Sequence, residues 1–155
     1  LQLIIIFVFT TFFISTFVIS CGYTPMYTAN SELNFNFKEI NISGDSILGD
    51  MIETNLLRYK KSEDGKEILL DVNINYEKLS QTKDAAGNTT DYLLVAEVEF
   101  IIKKENTEKK VNIKKDFVME NIEKEFEEKN YERSIKQNFA YSIVNKLIFQ
   151  LSKEE

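Results

Sequence analysis

Hydrophobic positions early in the chain recur with period two, which is typical of a β-strand that buries one face. The first such segment carries Leu33, Phe35, Phe37, Ile40 and Ile42 at its apolar positions. The alternation changes phase once, after Phe37. Because one extra residue shifts every later side chain to the other face, this change predicts a strand that contains a β-bulge.

Three later segments alternate in the same way and predict three more strands. Their apolar positions are Leu70, Val72, Ile74 and Tyr76; then Tyr92, Leu94, Ala96, Val98, Phe100 and Ile102; then Val111, Ile113, Phe117 and Met119. A polar loop centred on Gly87-Asn88 separates the first two, and residues 104–109 turn the chain before the last. Short loops of this kind predict an antiparallel meander.

Two segments have the helical spacing of apolar residues. They are Ile47, Leu48, Met51, Ile52, Asn55, Leu56 and Tyr59, and then Ile135, Phe139, Ala140, Ile143, Val144, Leu147, Ile148 and Leu151. Ser43-Gly44-Asp45 predicts a turn with a cap for the first helix, and Glu63-Asp64-Gly65 its end. The order β-α-β-β-β-α therefore predicts an α+β two-layer sandwich, in which two helices cover one face of a four-stranded, largely antiparallel sheet.

The chain begins with an apolar run, Leu1 to Ser20, that contains no charged side chain. The segment Val18-Ile19-Ser20-Cys21 at its end resembles the bacterial lipobox, with an aliphatic residue, a small residue before the cut, and then cysteine. We therefore expect a signal peptide over 1–20, cleavage before Cys21, and acylation of its thiol. A lipidated tether over 21–32 and a domain over 33–155 follow.

The alternative for the apolar run is a transmembrane helix that ends at a cysteine by chance. The run also lacks the basic start of a signal peptide, and residue 1 is Leu rather than Met. Either Leu1 represents an alternative start codon, or the gene prediction has lost a few basic residues, and the lipoprotein interpretation holds in both cases.

The segment Cys21-Gly22-Tyr23-Thr24-Pro25-Met26-Tyr27 resembles the start of mature proteins of the LptE family, the lipopolysaccharide-assembly lipoproteins. Family members have Gly, an aromatic residue, Pro, an aliphatic residue and often Tyr at these places after the lipidated cysteine. A generic extended tether is the alternative for so short a motif. Gly22 in place of Asp after the cysteine favours the outer membrane over the inner one.

This resemblance implies a fold and a function. The fold of the family, two helices on a four-stranded sheet, agrees with the order predicted above. LptE-like proteins sit in the lumen of the LptD outer-membrane barrel, assist its assembly and take part in delivering lipopolysaccharide to the cell surface. The resemblance thus implies a periplasm-facing protein that is anchored to the outer membrane by acyl chains on Cys21, with LptD and lipopolysaccharide as its partners.

Composition excludes several other function classes. Nineteen Lys and Arg against 25 Asp and Glu give a net charge of −6, which argues against nucleic-acid binding, because that needs a basic face. With no His and a single Cys, most zinc sites, His-based catalytic dyads and intrachain disulfides are excluded. Glu123, Glu125, Glu127 and Glu128 lack metal-ligand spacing and predict a solvated linker. We expect no enzyme, no cofactor and no metal.

Four lysines are candidates for contact with the lipopolysaccharide phosphates. Lys103, Lys104, Lys109 and Lys110 should meet at one end of a hairpin, where charge-assisted hydrogen bonds could hold an anion. The alternative is that these lysines protect sheet edges and keep turns soluble. Two other functions also stay open for the whole chain: a lipid-anchored scaffold or pilot protein of another envelope machine, and a periplasmic hydrolase.

Overall fold

The computed structural model describes residues 35–59, 66–105 and 107–153. Within these ranges, four strands and two helices follow one another in the predicted order, β-α-β-β-β-α. The elements are β1 (Phe35–Gly44), α1 (Ser46–Leu57), β2 (Lys66–Lys83), β3 (Thr89–Lys104), β4 (Thr107–Glu120) and α2 (Glu125–Ser152). The predicted α+β class is confirmed.

The strands form one sheet in the order β1-β2-β3-β4. β2, β3 and β4 make the predicted antiparallel meander, whereas β1 runs parallel to β2. A parallel neighbour requires a crossover connection, and α1 lies in that connection. The pairing of β1 with β2 shifts between Phe37 and Glu39, so the predicted bulge is confirmed at the expected place.

The core lies between the two helices and one face of the sheet. Its largest fully buried side chains include Phe37 of β1, Leu70 of β2, Phe100 of β3 and Ile143 of α2. Every residue of the predicted apolar stripe on α2 is buried. Burying a large apolar side chain stabilises the fold by about 1.5–3 kcal/mol, so this layer is the main source of stability.

The opposite face of the sheet is not covered by either helix. Side chains alternate across a strand, so Leu93, Val95 and Glu97 of β3 point away from the core residues Leu94 and Ala96. This surface is called the open face below.

The strands are longer than the sequence pattern predicted, because polar residues continue the pairing beyond the last core position. The last residue of β2 that pairs with β1 is Ile74, and β2 continues from Asn75 to Lys83 paired with β3 alone. The upper part of the sheet is therefore three-stranded and projects past the end of β1.

The acidic segment before the last helix is helical, which corrects the prediction of a solvated linker. Glu125, Glu127 and Glu128 form the first turn of α2, where carboxylates interact favourably with the positive end of the helix dipole. Glu123 alone of the four precedes the helix. The predicted turn over 104–109 is also shorter, because β4 begins at Thr107 and already contains Lys109.

Candidate functional site

The predicted lipid-attachment segment lies outside the described residues. Cys21 and the lipobox residues Val18, Ile19 and Ser20 all fall within 1–34, so acylation and cleavage stay predictions from the sequence. The same holds for the signal peptide over 1–20 and the tether over 21–32.

The structure places the four candidate lysines beside one turn but on two different faces. Lys103 and Lys110 are on the open face, since Lys110 pairs with Ile101. Lys104 and Lys109 are on the helix-covered face, since Lys109 pairs with the buried Ile102. A single anionic group could therefore contact Lys103 and Lys110 on the open face, or Lys104 and Lys109 on the helix-covered face. It could not contact all four lysines at once.

Lys103 is engaged in an ion pair within the open face. Its Nζ lies 2.6 Å from Oδ2 of Asp71, and Asn41 donates a hydrogen bond of 3.1 Å to Oδ1 of the same carboxylate. The hydrogen bond from Lys103, followed by that from Asn41, holds the pKa of Asp71 below its usual value. The same pair raises the pKa of Lys103.

We expect Lys103→Gln to return the pKa of Asp71 toward its ordinary value. A carboxylate whose pKa is lowered by folding contributes stability above its unfolded pKa, and this is lost as the pH falls through the folded value. The substitution should remove most of that acid-side contribution and leave the part that comes from the hydrogen bond of Asn41. Carboxyl-carbon NMR titration of Asp71 measures the change. Lys110→Gln on the same face is the matched control and should leave the titration as it was.

A groove between α1 and α2 is a candidate binding site within the described ranges. Its volume is about 880 Å³, within the usual size range of ligand pockets. It is lined by Ile47, Asp50, Met51, Thr54, Asn55, Arg58, Lys129, Asn130, Glu132, Arg133, Lys136, Gln137, Asn138 and Tyr141. These residues occupy facing stripes of the two helices.

Both arginines of the chain, Arg58 and Arg133, line this groove. Both residues are exposed. Neither takes part in an ion pair among the described side chains. A guanidinium binds carboxylate and phosphate groups in bidentate geometry. The groove is therefore a locally basic surface on a chain with a net charge of −6. Sequence reasoning missed it, because the two arginines meet only when the helices pack.

Beneath the groove, Lys136 is buried, and the carboxylate of Asp45 balances its charge. Only 7 % of its side chain is exposed, and its Nζ lies 2.8 Å from Oδ2 of Asp45. The other carboxylate oxygen of Asp45 accepts a hydrogen bond of 2.8 Å from the backbone N–H of Leu48 and so caps α1. The Lys136 ammonium also lies 3.8 Å from the ring centroid of Tyr76, a cation–π contact.

The polar contacts continue from Tyr76 along the sheet. Its hydroxyl donates to Oε1 of Glu132 over 2.9 Å, and Lys78 Nζ lies 3.1 Å from Oε2 of Glu132. Lys78 also pairs with Glu128 and lies 4.4 Å from the ring centroid of Tyr92. Burial, together with the hydrogen bond to Glu132, raises the pKa of Tyr76. This network fixes the first turns of α2 on the projecting part of the sheet.

We expect Asp45→Ala to destabilise the fold by about 2–4 kcal/mol, because it removes a helix cap and leaves the buried Lys136 charge without its partner. Lys136→Met should cost much less, since a methionine of similar volume needs no counter-charge. The double variant should then be more stable than Asp45→Ala alone. Urea unfolding of the four proteins measures the difference. Equal stability of Asp45→Ala and the double variant would contradict the role given to this pair.

The described part of the chain offers no group of three or more His, Cys, Asp and Glu side chains that could hold a metal ion. Neither described helix has an apolar stretch long enough to cross a bilayer.

Comparison with known proteins identifies the fold. No protein family profile matches the chain, and none of the curated proteins matches its sequence. Solved structures do match. The chain is similar to rare lipoprotein B from Shewanella oneidensis, with 15 % identity and a TM-score of 0.52 over 75 % of this chain and 95 % of that one.

Two further structures agree with the first. A minor lipoprotein from Acinetobacter baumannii has 15 % identity and a TM-score of 0.51, over 74 % of this chain and 94 % of its own. A lipoprotein B from Nitrosomonas europaea has 16 % identity and a TM-score of 0.53, over 77 % and 86 %. The chain therefore has the fold of these lipoprotein structures.

Proposed function

We propose that this chain is an outer-membrane lipoprotein of the LptE type, which pairs with the LptD barrel as plug and assembly partner in lipopolysaccharide transport. One conjunction supports the proposal. A fold shared with structures that are named as lipoproteins follows, in the same chain, a cysteine placed at the end of a lipobox. The motif from Cys21 to Tyr27, which resembles the LptE family, begins at this cysteine and precedes the described strands and helices in the sequence.

The proposed role is binding rather than catalysis. Shifted pKa values among the described acids and lysines arise mainly from ion pairs and hydrogen bonds within the fold, such as Asp71 with Lys103 and Glu125 with Lys129. Groups with such partners stabilise structure. The groove between α1 and α2 presents amides, two arginines and the exposed Tyr141 to solvent, a set that suits recognition of a polar or anionic surface.

Lipopolysaccharide contact is proposed for the lysines at the β3–β4 turn. Lys110 offers an exposed ammonium on the open face, and Lys103 could reach an anion there by exchanging its contact with Asp71. Such contacts would be charge-assisted and sensitive to salt. The acyl chains on Cys21 would keep the domain at the inner leaflet of the outer membrane.

Depletion of the chain in its native cells tests the proposal. If the chain is an assembly partner of the barrel, the amount of folded LptD should fall in step with depletion, and newly made lipopolysaccharide should stop appearing at the cell surface. Normal levels of folded LptD after full depletion would instead favour a scaffold or pilot role in another envelope machine. An unrelated outer-membrane barrel serves as the control.

A further inference from the structure

The open face carries an apolar row at its projecting end. Leu79 of β2 pairs with Leu93 of β3, and Leu93 pairs with Val118 of β4, so the three side chains stand side by side across the sheet. Leu79 is 46 % exposed and Val118 is 49 % exposed. Val95, the next open-face residue of β3, lies beside the row toward the middle of the sheet but is only 9 % exposed. Neither helix covers these side chains.

Carboxylates frame this apolar row on both sides. In the row below it, Glu77, Val95 and Asp116 are paired in register, so an acid flanks Val95 on each neighbouring strand. In the row above it, Asp91 pairs with Glu120. Two acidic rows therefore enclose one apolar row.

One lysine partly offsets the lower acidic row. Lys114, one row further down, donates a hydrogen bond to Glu97 and also attracts Asp116 and Glu77. Lys83 lies at the hairpin end of β2, where it pairs with Thr89. Asp91 accepts hydrogen bonds from the neutral hydroxyls of Thr82 and Thr90. The four carboxylates of the frame, together with Glu97, outnumber Lys114, so the potential over the patch is negative.

We propose that this acid-framed apolar row is a docking surface for a partner protein segment that carries aliphatic residues flanked by Lys or Arg. Aliphatic side chains would cover Leu79, Leu93 and Val118, while the basic residues would meet the carboxylates above and below. This surface is separate from the groove and from the lysines at the β3–β4 turn, and its docking role does not depend on the proposed function.

Charge decides between this partner and other occupants. An anionic membrane or glycolipid would be repelled by the two acidic rows. A second copy of the chain, packed face to face, would bring like carboxylates together around the same apolar centre. Only a basic partner turns the frame into an attraction.

A synthetic peptide with a Leu-Val-Leu centre and flanking lysines probes the surface. Its binding to the full chain in a non-ionic detergent is followed by fluorescence anisotropy at low salt. The variant Leu79→Ser/Val118→Ser should weaken binding by about tenfold or more, since two exposed anchors are lost. Asp116→Asn/Glu120→Gln should weaken binding at low salt. At high salt this variant and the unchanged chain should bind the peptide equally. Phe149→Ser, which changes an apolar residue of α2 that is 58 % exposed, is the matched control and should bind normally.

Three results would overturn the proposal. The first is equal binding by Leu79→Ser/Val118→Ser and the unchanged chain. The second is equal binding of a peptide in which glutamates replace the lysines. The third is a concentration-dependent dimer of the chain that Leu79→Ser/Val118→Ser abolishes, which would assign the row to self-association. Methyl NMR shifts confined to Leu79, Leu93, Val95 and Val118 on peptide addition would support it, and shifts elsewhere would contradict it.

Discussion

Gly44→Ala should destabilise the protein more than any other glycine substitution in the described chain. Gly44 ends β1 with φ of 103°, in the left-handed region that L side chains rarely adopt. A Cβ atom there would lie 1.8 Å from the backbone oxygen of Ile74. Because the clash is with the backbone of a paired strand, no rotamer change relieves it. We expect a loss of about 3–5 kcal/mol in the free energy of unfolding, measured by urea denaturation.

Gly87→Ala provides the matched control for this result. Gly87 also has a positive φ, 87°, but a Cβ atom there would meet nothing within 4 Å. Only the conformational strain remains, so we expect a loss of about 1 kcal/mol. Similar losses for both variants would show that the close approach of Gly44 to Ile74 does not determine the stability of the β1–α1 connection.

Cys21→Ser should abolish fatty acylation of the chain completely. The hydroxyl of serine does not replace the cysteine thiol as the acceptor of the diacylglyceryl group, and without that group the lipoprotein signal peptidase has no substrate. We expect incorporation of labelled palmitate to fall to background. The intact mass should show that cleavage before residue 21 no longer takes place.

Ser20→Ala is the control for Cys21→Ser. Alanine keeps a small residue beside the scissile bond, so acylation and cleavage should be normal. If the apolar run over 1–20 were a transmembrane helix, the unchanged chain would carry no palmitate and would retain these residues. An intact mass that includes residues 1–20 and no acyl group would contradict the lipoprotein proposal, whatever the behaviour of the variants.

The fold was predictable because each strand and helix buries one side and exposes the other, which produces a regular pattern of apolar residues in the sequence. Each strand buries one face against the helices, so period two appears directly in β2 and β3, and even the bulge after Phe37 appears as a change of phase. The helical stripes are nearly as direct, since α1 and α2 each bury one face, although Ile47 of the predicted α1 stripe is 50 % exposed. The strand ends were predicted less well, because backbone pairing continues through the mostly polar segment from Asn75 to Lys83, where few side chains reach the core.

The candidate binding surfaces were less predictable, because they depend on contacts between distant segments. Nothing local marks Lys136 as buried, since its partner Asp45 comes from the start of the other helix. Arg58 and Arg133 share a groove for the same reason. The lysines beside the β3–β4 turn were expected to act together, but strand alternation divides them between two faces.

The most direct test of the proposed role is a tagged pull-down of the full chain from detergent-solubilised outer membranes, with the recovered proteins identified and quantified by mass spectrometry. If the chain is the plug and assembly partner of LptD, the barrel should be recovered in a one-to-one ratio with the tagged chain. Recovery of the acylated chain from the outer membrane without LptD would contradict that role and leave only the lipoprotein assignment.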